Sequence, residues 1–292
     1  METKKINIRD ILKVIFQLGK VRISIPVAFT TFTGYVLSRG KADAGFILPV
    51  TGIFLLACGA SALNQIQEFG IDKRMNRTQN RPLPSGRTSL PAAWIITLAF
   101  FFGGSLVLLL GPGFETFCVG IATFAWYNAI YTPLKKVTAF AAVYGSMVGA
   151  LPPLAGWVAG GGSIIDNRAI ILAFFFFIGQ IPHFWLLLLK FGKQYEEADL
   201  PSLTKLLSII QIKRLTFIWI AATGVTAFAL PVFKVVDQLW ASIAVIILSI
   251  GIILFFARLL FKSVEFKVGR SFVFINVYYL FIMLILIGSK TF

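Results

Sequence analysis

Charged residues are scarce in this sequence. Only 13% of its 292 residues are Asp, Glu, Lys or Arg, whereas 58% are hydrophobic, and the mean hydropathy is +0.85. A soluble domain of this length covers its surface with polar groups, and this composition is too apolar to do so. The scarcity of charge therefore excludes a soluble globular protein and predicts one that lies in a lipid bilayer.

Cysteine, histidine and flexible linkers are scarce as well. Cys58 and Cys118, the two cysteines, each lie within an apolar run, which argues against a disulfide framework or a CxxC metal site. His183 is the only histidine. No Gly/Ser/Pro-rich linker and no acidic tail interrupts the apolar pattern, so residues 1–292 are expected to form a single domain.

The apolar runs between charges predict an all-α integral membrane protein with nine transmembrane helices around a central cavity. A spanning helix needs about 20 apolar residues. The first run can extend back over Lys20 and Arg22, whose long side chains can reach the membrane surface. The predicted spans are 23–38, 44–67, 88–114, 116–134, 137–165, 169–189, 215–233, 238–257 and 271–289.

The basic residues predict the orientation of these spans. A net charge of +15 could indicate nucleic acid, but 22 of the 27 Lys and Arg fall on one side of the predicted topology. This asymmetry is typical of cytoplasmic loops. It predicts a cytoplasmic N-terminus, a C-terminus on the outside, and a multi-pass protein of the cell's inner (cytoplasmic) membrane that binds no nucleic acid.

The first long cytoplasmic loop carries the clearest chemistry. Asn64, Glu68 and Asp72 are spaced four residues apart, so on a helix they share one face. Such oxygen ligands suit Mg²⁺, which normally shares its coordination with substrate phosphates. Arg77 and Arg81 follow, and guanidinium groups match phosphate oxygens well. The loop therefore predicts a magnesium–diphosphate site, the alternative being a solvated loop with ordinary ion pairs.

A second long inner loop has a similar mixture of charges. Segments 68–87 and 190–214 both carry acidic residues among basic ones, and they follow predicted spans two and six. Because four helices separate them, we expect a pseudo-symmetric pair of loops that face one cavity. No internal repeat is evident from the residues themselves.

The residues between Asn64 and Gly86 follow the pattern N-x3-E-x3-D-x2-M-x-R-T-x2-R-P-L-x2-G. This pattern resembles the first motif of the UbiA-type intramembrane prenyltransferases, and its Asn, Glu and Met most resemble the protohaem IX farnesyltransferase (haem O synthase) branch. Three further segments resemble motifs of the same family: YTPLKKVT at 131–138, GALPPLAGW at 149–157 and QIPHFW at 180–185. Together the resemblance covers roughly residues 60–205.

The resemblance implies Mg²⁺-dependent transfer of a farnesyl group from farnesyl diphosphate to haem B, which gives haem O. Asn64, Glu68, Asp72 and His183 would be catalytic. The diphosphate would be bound by Arg77, Arg81, Tyr131, Lys135 and Lys136. The metal ligands would be drawn from Asn64, Glu68, Asp72, Glu196, Glu197 and Asp199.

The second loop departs from the family pattern, which is roughly DYxxAGxPM. Gln194 stands where Asp is expected and Asp199 stands where Gly is expected, while Ala141 and Ala142 occupy the place of a usual Asn. Another acceptor, such as a quinone precursor or a chlorin, therefore stays open, and a transporter is the alternative from a different class.

His183 could contact the haem propionates, ligate haem, polarise the acceptor or simply be a hydrogen-bonded core residue.

Overall fold

The computed structural model describes residues 7–261 and 267–291, and within these ranges every regular element is a helix. The fourteen α-helices are α1 (Ile8–Leu18), α2 (Val21–Arg39), α3 (Ile47–Gln67), α4 (Phe69–Asp72), α5 (Leu90–Leu110), α6 (Phe114–Ala125), α7 (Thr132–Leu134), α8 (Ala141–Gly145), α9 (Met147–Ala159), α10 (Asn167–Glu197), α11 (Leu203–Leu206), α12 (Ile209–Val232), α13 (Leu239–Ala257) and α14 (Val268–Thr291). A π-helical turn, Trp126–Tyr131, joins α6 to α7.

Seven of the described helical segments are long and apolar enough to cross a membrane. They include α3, α5, α9, α10, α12, α13 and α14. The first and fourth predicted spans are also helical, as α2 and as α6 with its continuation to Leu134, but they are not among the seven. The all-helical membrane fold is thus confirmed in outline, whereas the count of nine, the orientation and the central cavity stay predictions.

Three of the lysines used to predict the orientation, Lys4, Lys5 and Lys262, lie outside the described residues.

The helix ends follow from local sequence signals. Side chains of Ser89 and Asp166 accept hydrogen bonds from backbone amides at the starts of α5 and α10, which satisfies donors that a helix leaves unpaired. Ser208 and Gln211 form a reciprocal capping box at the start of α12. Gly113, with a φ of 100°, makes the tight reversal between α5 and α6.

Two apolar cores hold the helices together. One includes Ile53, Leu56 and Leu108 and lies among α3, α5, α6 and α9. The larger one joins α10, α12, α13 and α14 around residues such as Phe175 and Phe256. Large apolar side chains on the outer faces of α5, α13 and α14 are exposed, as expected for helices that face lipid.

Helices α2 and α9 are in backbone contact. A Cβ atom on Gly34 would lie 1.9 Å from the carbonyl oxygen of Pro153, and one on Gly156 would lie 1.9 Å from that of Thr31. Both distances are far below van der Waals contact, so each position requires glycine. This packing fixes α2, and with it the residues at the start of α2, against the helix that contains Pro152 and Pro153.

Candidate active site

Asn64, Glu68 and Asp72 lie on one face, as their spacing predicts, although not on one uninterrupted helix. Helix α3 ends at Gln67, Glu68 adopts a non-helical conformation, and α4 begins at Phe69. The backbone amide of Glu68 still donates to the carbonyl of Asn64 (2.9 Å), and that of Asp72 donates to Glu68 (2.8 Å). These bonds keep the four-residue register across the break, and Asn64 and Asp72 are both buried.

The carboxylate of Glu68 is paired with Lys135. Lys135 Nζ lies 2.5 Å from Glu68 Oε1, and the two side chains are only 14% and 13% exposed. Burial raises the pKa of Glu68, but the ammonium of Lys135 more than offsets this and holds that pKa below its usual value. Burial lowers the pKa of Lys135, but the carboxylate of Glu68, acting together with Tyr131 and Tyr127, raises this pKa above its usual value. Both groups are therefore charged at neutral pH.

The carboxylate of Asp72 is paired with Arg81. Arg81 Nη1 donates to Asp72 Oδ2 at 2.6 Å, and the Asp72 side chain is only 3% exposed. Burial raises the pKa of Asp72 above its usual value, while Arg81 acts in the opposite direction. Thr78 helps to shape the turn, because its hydroxyl donates to the backbone carbonyl of Asp72 at 3.0 Å.

Asn64 is also paired with a cation, and the sequence did not predict this one. Lys20, between α1 and α2, donates from Nζ to Asn64 Oδ1 at 2.8 Å. Burial, followed by the nearby charge of Arg81, lowers the pKa of Lys20 to about 7. The sequence signal was a charge at the start of an apolar run, which was interpreted only as a membrane-surface anchor. Each of the three oxygen ligands thus bonds to one cation; we call these six residues the ligand–cation cluster (Asn64, Glu68, Asp72, Lys20, Lys135 and Arg81).

The π-helical turn before α7 supplies one wall of the cluster. Pro133 has no amide to donate and its ring crowds the preceding turn, and the amide of Thr132 bonds to Tyr127, five residues earlier. Such wide turns are often found at functional sites. Tyr127 and Tyr131 lie side by side with ring centroids 5.6 Å apart, and Lys135 Nζ lies 5.0 Å from the Tyr131 ring.

The remaining predicted phosphate ligands lie outside this cluster. The guanidinium of Arg77 lies 4.5 Å from the ring of Phe191 on α10, and its backbone amide donates to Gln194 at 3.2 Å. Lys136 is exposed. Arg77 therefore joins the first loop to the second, while Arg81 and Lys135 are the predicted cations that meet the ligand face.

The second loop packs against the first but does not bring its carboxylates into the cluster. Met75 of the first loop packs on Ala198 and Leu200. Asp199 is 84% exposed and pairs with Arg74 at 3.0 Å, whereas Glu196 accepts a hydrogen bond from Thr204. Glu197 is exposed. The two acidic loops are thus in contact, and their carboxylates differ in environment. That the loops form a pseudo-symmetric pair facing one cavity stays a prediction.

Asp199 also explains one departure from the family pattern. Its φ is +58°, in the left-handed region, which glycine adopts freely and which Asp and Asn tolerate better than most other residues. Asp therefore replaces the expected Gly without a change of backbone.

Comparison with known proteins identifies the family. The model of the UbiA prenyltransferase family matches residues 27–283. A protein named protoheme IX farnesyltransferase from Oleidesulfovibrio alaskensis is 35% identical over 279 residues, which cover 96% of this chain and 97% of the relative. The chain belongs to the UbiA prenyltransferase family.

Solved structures of UbiA-type proteins share the fold. A digeranylgeranylglyceryl phosphate synthase superposes with a TM-score of 0.75 at 18% identity, covering 96% of this chain and 98% of the other. A UbiA homologue from Archaeoglobus fulgidus bound to GPP and Mg²⁺ superposes with a TM-score of 0.66 at 13% identity, covering 95% and 98%. At these identities the likeness concerns the fold alone.

In this prenyltransferase, the ligand set suits Mg²⁺ that is shared with a substrate. Among residues 7–261 and 267–291, no three His, Cys, Asp or Glu side chains are grouped as a metal site. Two carboxylates and one amide are available instead, at Glu68, Asp72 and Asn64. Mg²⁺ is typically held by one or two carboxylates plus substrate phosphates and water, so this sparse set fits the ion better with a diphosphate than without one.

His183 lies away from the cluster, at the contact between α10 and α14. Its ring centroid is 4.7 Å from that of Phe272, and its side chain bonds to Asn276. It is connected to the cluster through Phe184, which lies 5.8 Å from His183 and stacks on Tyr131 at 5.5 Å. An aromatic series thus runs from Lys135 to the only histidine.

Apolar grooves of about 380 Å³ open on the lateral surface. One lies between α2 and α3 and is lined by residues such as Phe29, Phe32 and Phe54. None of its lining residues belongs to the ligand–cation cluster.

Proposed function

We propose that this prenyltransferase transfers a farnesyl group from farnesyl diphosphate to haem B in a Mg²⁺-dependent reaction that gives haem O. The observation that carries the diphosphate half of the proposal is the pairing of three oxygen ligands with three cations in the ligand–cation cluster. The acceptor half rests on the 35% identity to a protoheme IX farnesyltransferase over 96% of the chain.

The cluster residues divide into two roles in this proposal. Asn64, Glu68 and Asp72 would hold Mg²⁺, and the cations that now neutralise the carboxylates, Lys135 and Arg81, would donate to diphosphate oxygens. Bound Mg²⁺ would withdraw charge from the departing diphosphate. Because both donors are already held in place by ion pairs with Glu68 and Asp72, little reorganisation would accompany the charge that develops on the leaving group.

The outer residues would assist the same half-reaction. Tyr131 would offer its hydroxyl to the diphosphate beside Lys135, while Arg77 and the exposed Lys136 would guide the anion from the cytoplasmic side. The second-loop carboxylates, Glu196, Glu197 and Asp199, would be alternative ligands of a second Mg²⁺, so that the loss of any single one could be compensated by another. Support for that role is limited to the packing of the second loop on Met75.

Bond changes follow from the substrates. The C1–O bond of farnesyl diphosphate breaks, and the diphosphate leaves with the electron pair. A vinyl carbon of haem B attacks C1, and water adds to the adjacent carbon and loses a proton, which gives the hydroxyethylfarnesyl group. Tyr131 and Phe184, stacked beside the cluster, would exclude water from the allylic cation before the vinyl group attacks.

His183 would act on the acceptor side. Its position at the far end of the aromatic series, with Asn276 beside it, supports contact with haem rather than with the diphosphate. An ionisable side chain within a membrane helix is a functional candidate by default. The inside location of the N-terminus, the outside location of the C-terminus and the inner-membrane address belong to the same proposal, and the distribution of Lys and Arg supports them.

Pigment analysis tests the proposal. The chain would be expressed in membranes of a bacterial host that lacks its own haem O synthase. We expect haem O with the wild-type chain and none with Asp72→Asn. Unchanged haem B from a folded, inserted wild-type protein would contradict the acceptor, and release of diphosphate from farnesyl diphosphate with added quinone precursors or chlorins would then identify the alternative. The altered second loop, with Gln194 and Asp199, is the observation that keeps this second acceptor class open.

A further inference from the structure

Lys20 is held in an unusual backbone conformation that directs it at Asn64. Its φ is +44°, in the left-handed region, although it is not glycine, and such a conformation persists only where neighbouring contacts impose it. Gln65 Nε2 donates to the carbonyls of Gln17 (3.0 Å) and Leu18 (2.8 Å). Ser24 Oγ donates to the carbonyl of Gly19 at 3.0 Å. Four consecutive residues of this corner are thus fixed by α2 and α3.

Hydrogen bonding also fixes which end of the Asn64 amide meets Lys20. The hydroxyl of Thr132 donates its proton to the carbonyl of Tyr127 at 2.9 Å, so it can only accept from Asn64, whose Nδ2 lies 3.3 Å away. The amide oxygen of Asn64 is therefore turned toward Lys20 Nζ. This is the oxygen that would bind a metal ion, and a positively charged ammonium now occupies one of its two lone pairs.

Formal charge shows what the cluster lacks. Lys20, Lys135 and Arg81 against Glu68 and Asp72 leave a surplus of one positive charge in a mostly buried site. A divalent cation alone would increase that surplus, which is costly where water is scarce. A prenyl diphosphate with about three negative charges would be neutralised only if a divalent cation came with it.

We propose that Lys20 is a diphosphate-binding residue that blocks Asn64 Oδ1 until the diphosphate arrives, so that metal and prenyl diphosphate bind this site together. This inference rests on the proposed function. When the diphosphate is present, the ammonium moves from Asn64 to a phosphate oxygen and the amide oxygen becomes available. Lys20 is therefore both a substrate ligand and the residue that keeps the metal out of the empty site.

Equilibrium dialysis of the purified full chain with Mn²⁺ tests the coupling. The second ligand is a farnesyl thiolodiphosphate, whose bridging sulfur prevents turnover. In the wild-type protein we expect the analogue to tighten Mn²⁺ binding at least about 100-fold, a coupling at the upper end of ordinary linkage between sites. Protein-free dialysis corrects for Mn²⁺ bound by the analogue in solution. Equally tight Mn²⁺ binding with and without the analogue would overturn the inference without any variant.

Lys20→Met then separates the two roles of the lysine. We expect Mn²⁺ alone to bind about tenfold more tightly, because its competitor is gone, and the analogue in EDTA to bind about tenfold more weakly, because a cation is gone. Lys13→Met, an exposed lysine on α1, is the matched control and should change neither value. Unchanged Mn²⁺ affinity in a folded Lys20→Met protein would overturn the role of Lys20.

Asp72→Asn distinguishes failure of this inference from failure of the proposed function. If the wild type binds Mn²⁺ and Asp72→Asn does not, the metal site stands, whatever Lys20 does. If Asp72→Asn binds Mn²⁺ as the wild type does, the metal site assigned to Asn64, Glu68 and Asp72 is wrong, and the inference falls with it.

Discussion

The two acidic loops of this prenyltransferase pack against each other but present their carboxylates differently. In the first loop, Glu68 and Asp72 are enclosed and each bonds to a cation, Glu68 to Lys135 from a distant part of the chain and Asp72 to Arg81 of the same loop. In the second, Asp199 is exposed and Glu196 bonds to a neutral hydroxyl. Enclosed, paired charges are costly to arrange and destabilising to break, whereas exposed pairs contribute little. The difference supports the proposal that the first loop holds the metal–diphosphate site, and it predicts a smaller contribution from the carboxylates of the second loop.

The largest expected effect is at Asp72. Asp72→Asn keeps the shape of the side chain but removes a ligand charge and leaves Arg81 unpaired, so we expect prenyl transfer to fall at least about 100-fold. Release of diphosphate by the purified protein measures it. Asp166→Asn, a cap on the far side of the fold, is the control. If Asp72→Asn kept its activity within threefold of the wild type, Asp72 would matter no more than the exposed carboxylates of the second loop.

A somewhat smaller loss is expected at Lys135. Lys135→Met removes a phosphate donor and leaves Glu68 buried without its partner, so we expect about a 10- to 100-fold loss of kcat/KM for farnesyl diphosphate. Lys136→Met changes the adjacent, exposed lysine and should cost much less. Equal losses of kcat/KM in Lys135→Met and Lys136→Met would mean that the total positive charge of this segment determines activity, and not the ion pair between Lys135 and Glu68.

The second loop should tolerate the corresponding change. Asp199→Asn removes an exposed charge whose only described ion pair is with Arg74, so we expect less than about a threefold change in activity. Glu197→Gln should behave alike. Diphosphate release again provides the measurement. A loss as large as that of Asp72→Asn would show that the second loop supplies an essential ligand once the substrate is bound.

The smallest effect on catalysis is expected at Asp43, a paired carboxylate remote from both loops. The hydroxyl of Tyr35 donates to Asp43 at 2.5 Å and is the main reason that the pKa of Asp43 is lowered to about 2, with Arg39 assisting. Because the folded pKa lies below the unfolded value, the stabilisation is present above about pH 4 and is lost as the pH falls toward 2.

Asp43→Asn should therefore leave prenyl transfer unchanged and lower the Tm at pH 6, and the gap in Tm to the wild type should narrow as the pH drops. Thermal unfolding in detergent at several pH values measures this. Glu115→Gln, an exposed carboxylate, is the control. If the difference in Tm between Asp43→Asn and the wild type stayed constant down to pH 2, the loss of stability would be due to packing and not to the charge of Asp43.

Much of the fold and five of the six residues of the ligand–cation cluster could be predicted from the sequence. The shared face of Asn64, Glu68 and Asp72 could be recognised from their four-residue spacing in the sequence. This spacing is kept in the structure even across the helix break at Glu68. Apolar runs likewise predict where the long helices lie, although α10 extends beyond the predicted end at 189 and α12 begins before the predicted start at 215. The family motif then indicates Arg81 and Lys135 as phosphate ligands.

The remaining features depend on distant parts of the chain. Lys20 lies 44 residues before Asn64, and its role follows from the left-handed corner that Gln65 fixes rather than from any local pattern. The assignment of each cation to one oxygen is equally a tertiary property. The sequence also did not reveal that Pro133 is accompanied by a π-helical turn, because a proline so placed is compatible with several kinds of helix distortion.

The backbone contact between α2 and α9 bears on how the protein assembles during synthesis. Although 19 residues long, α2 is not among the seven segments apolar enough to cross a membrane unaided. Its glycine contact, Pro153, is translated more than a hundred residues after Gly34. Stable insertion of α2 would then wait for α9 to emerge from the ribosome, and Lys20 would reach Asn64 only after that late step. The ligand–cation cluster, although its first member lies near the N-terminus, would form only after more than half of the chain has been translated.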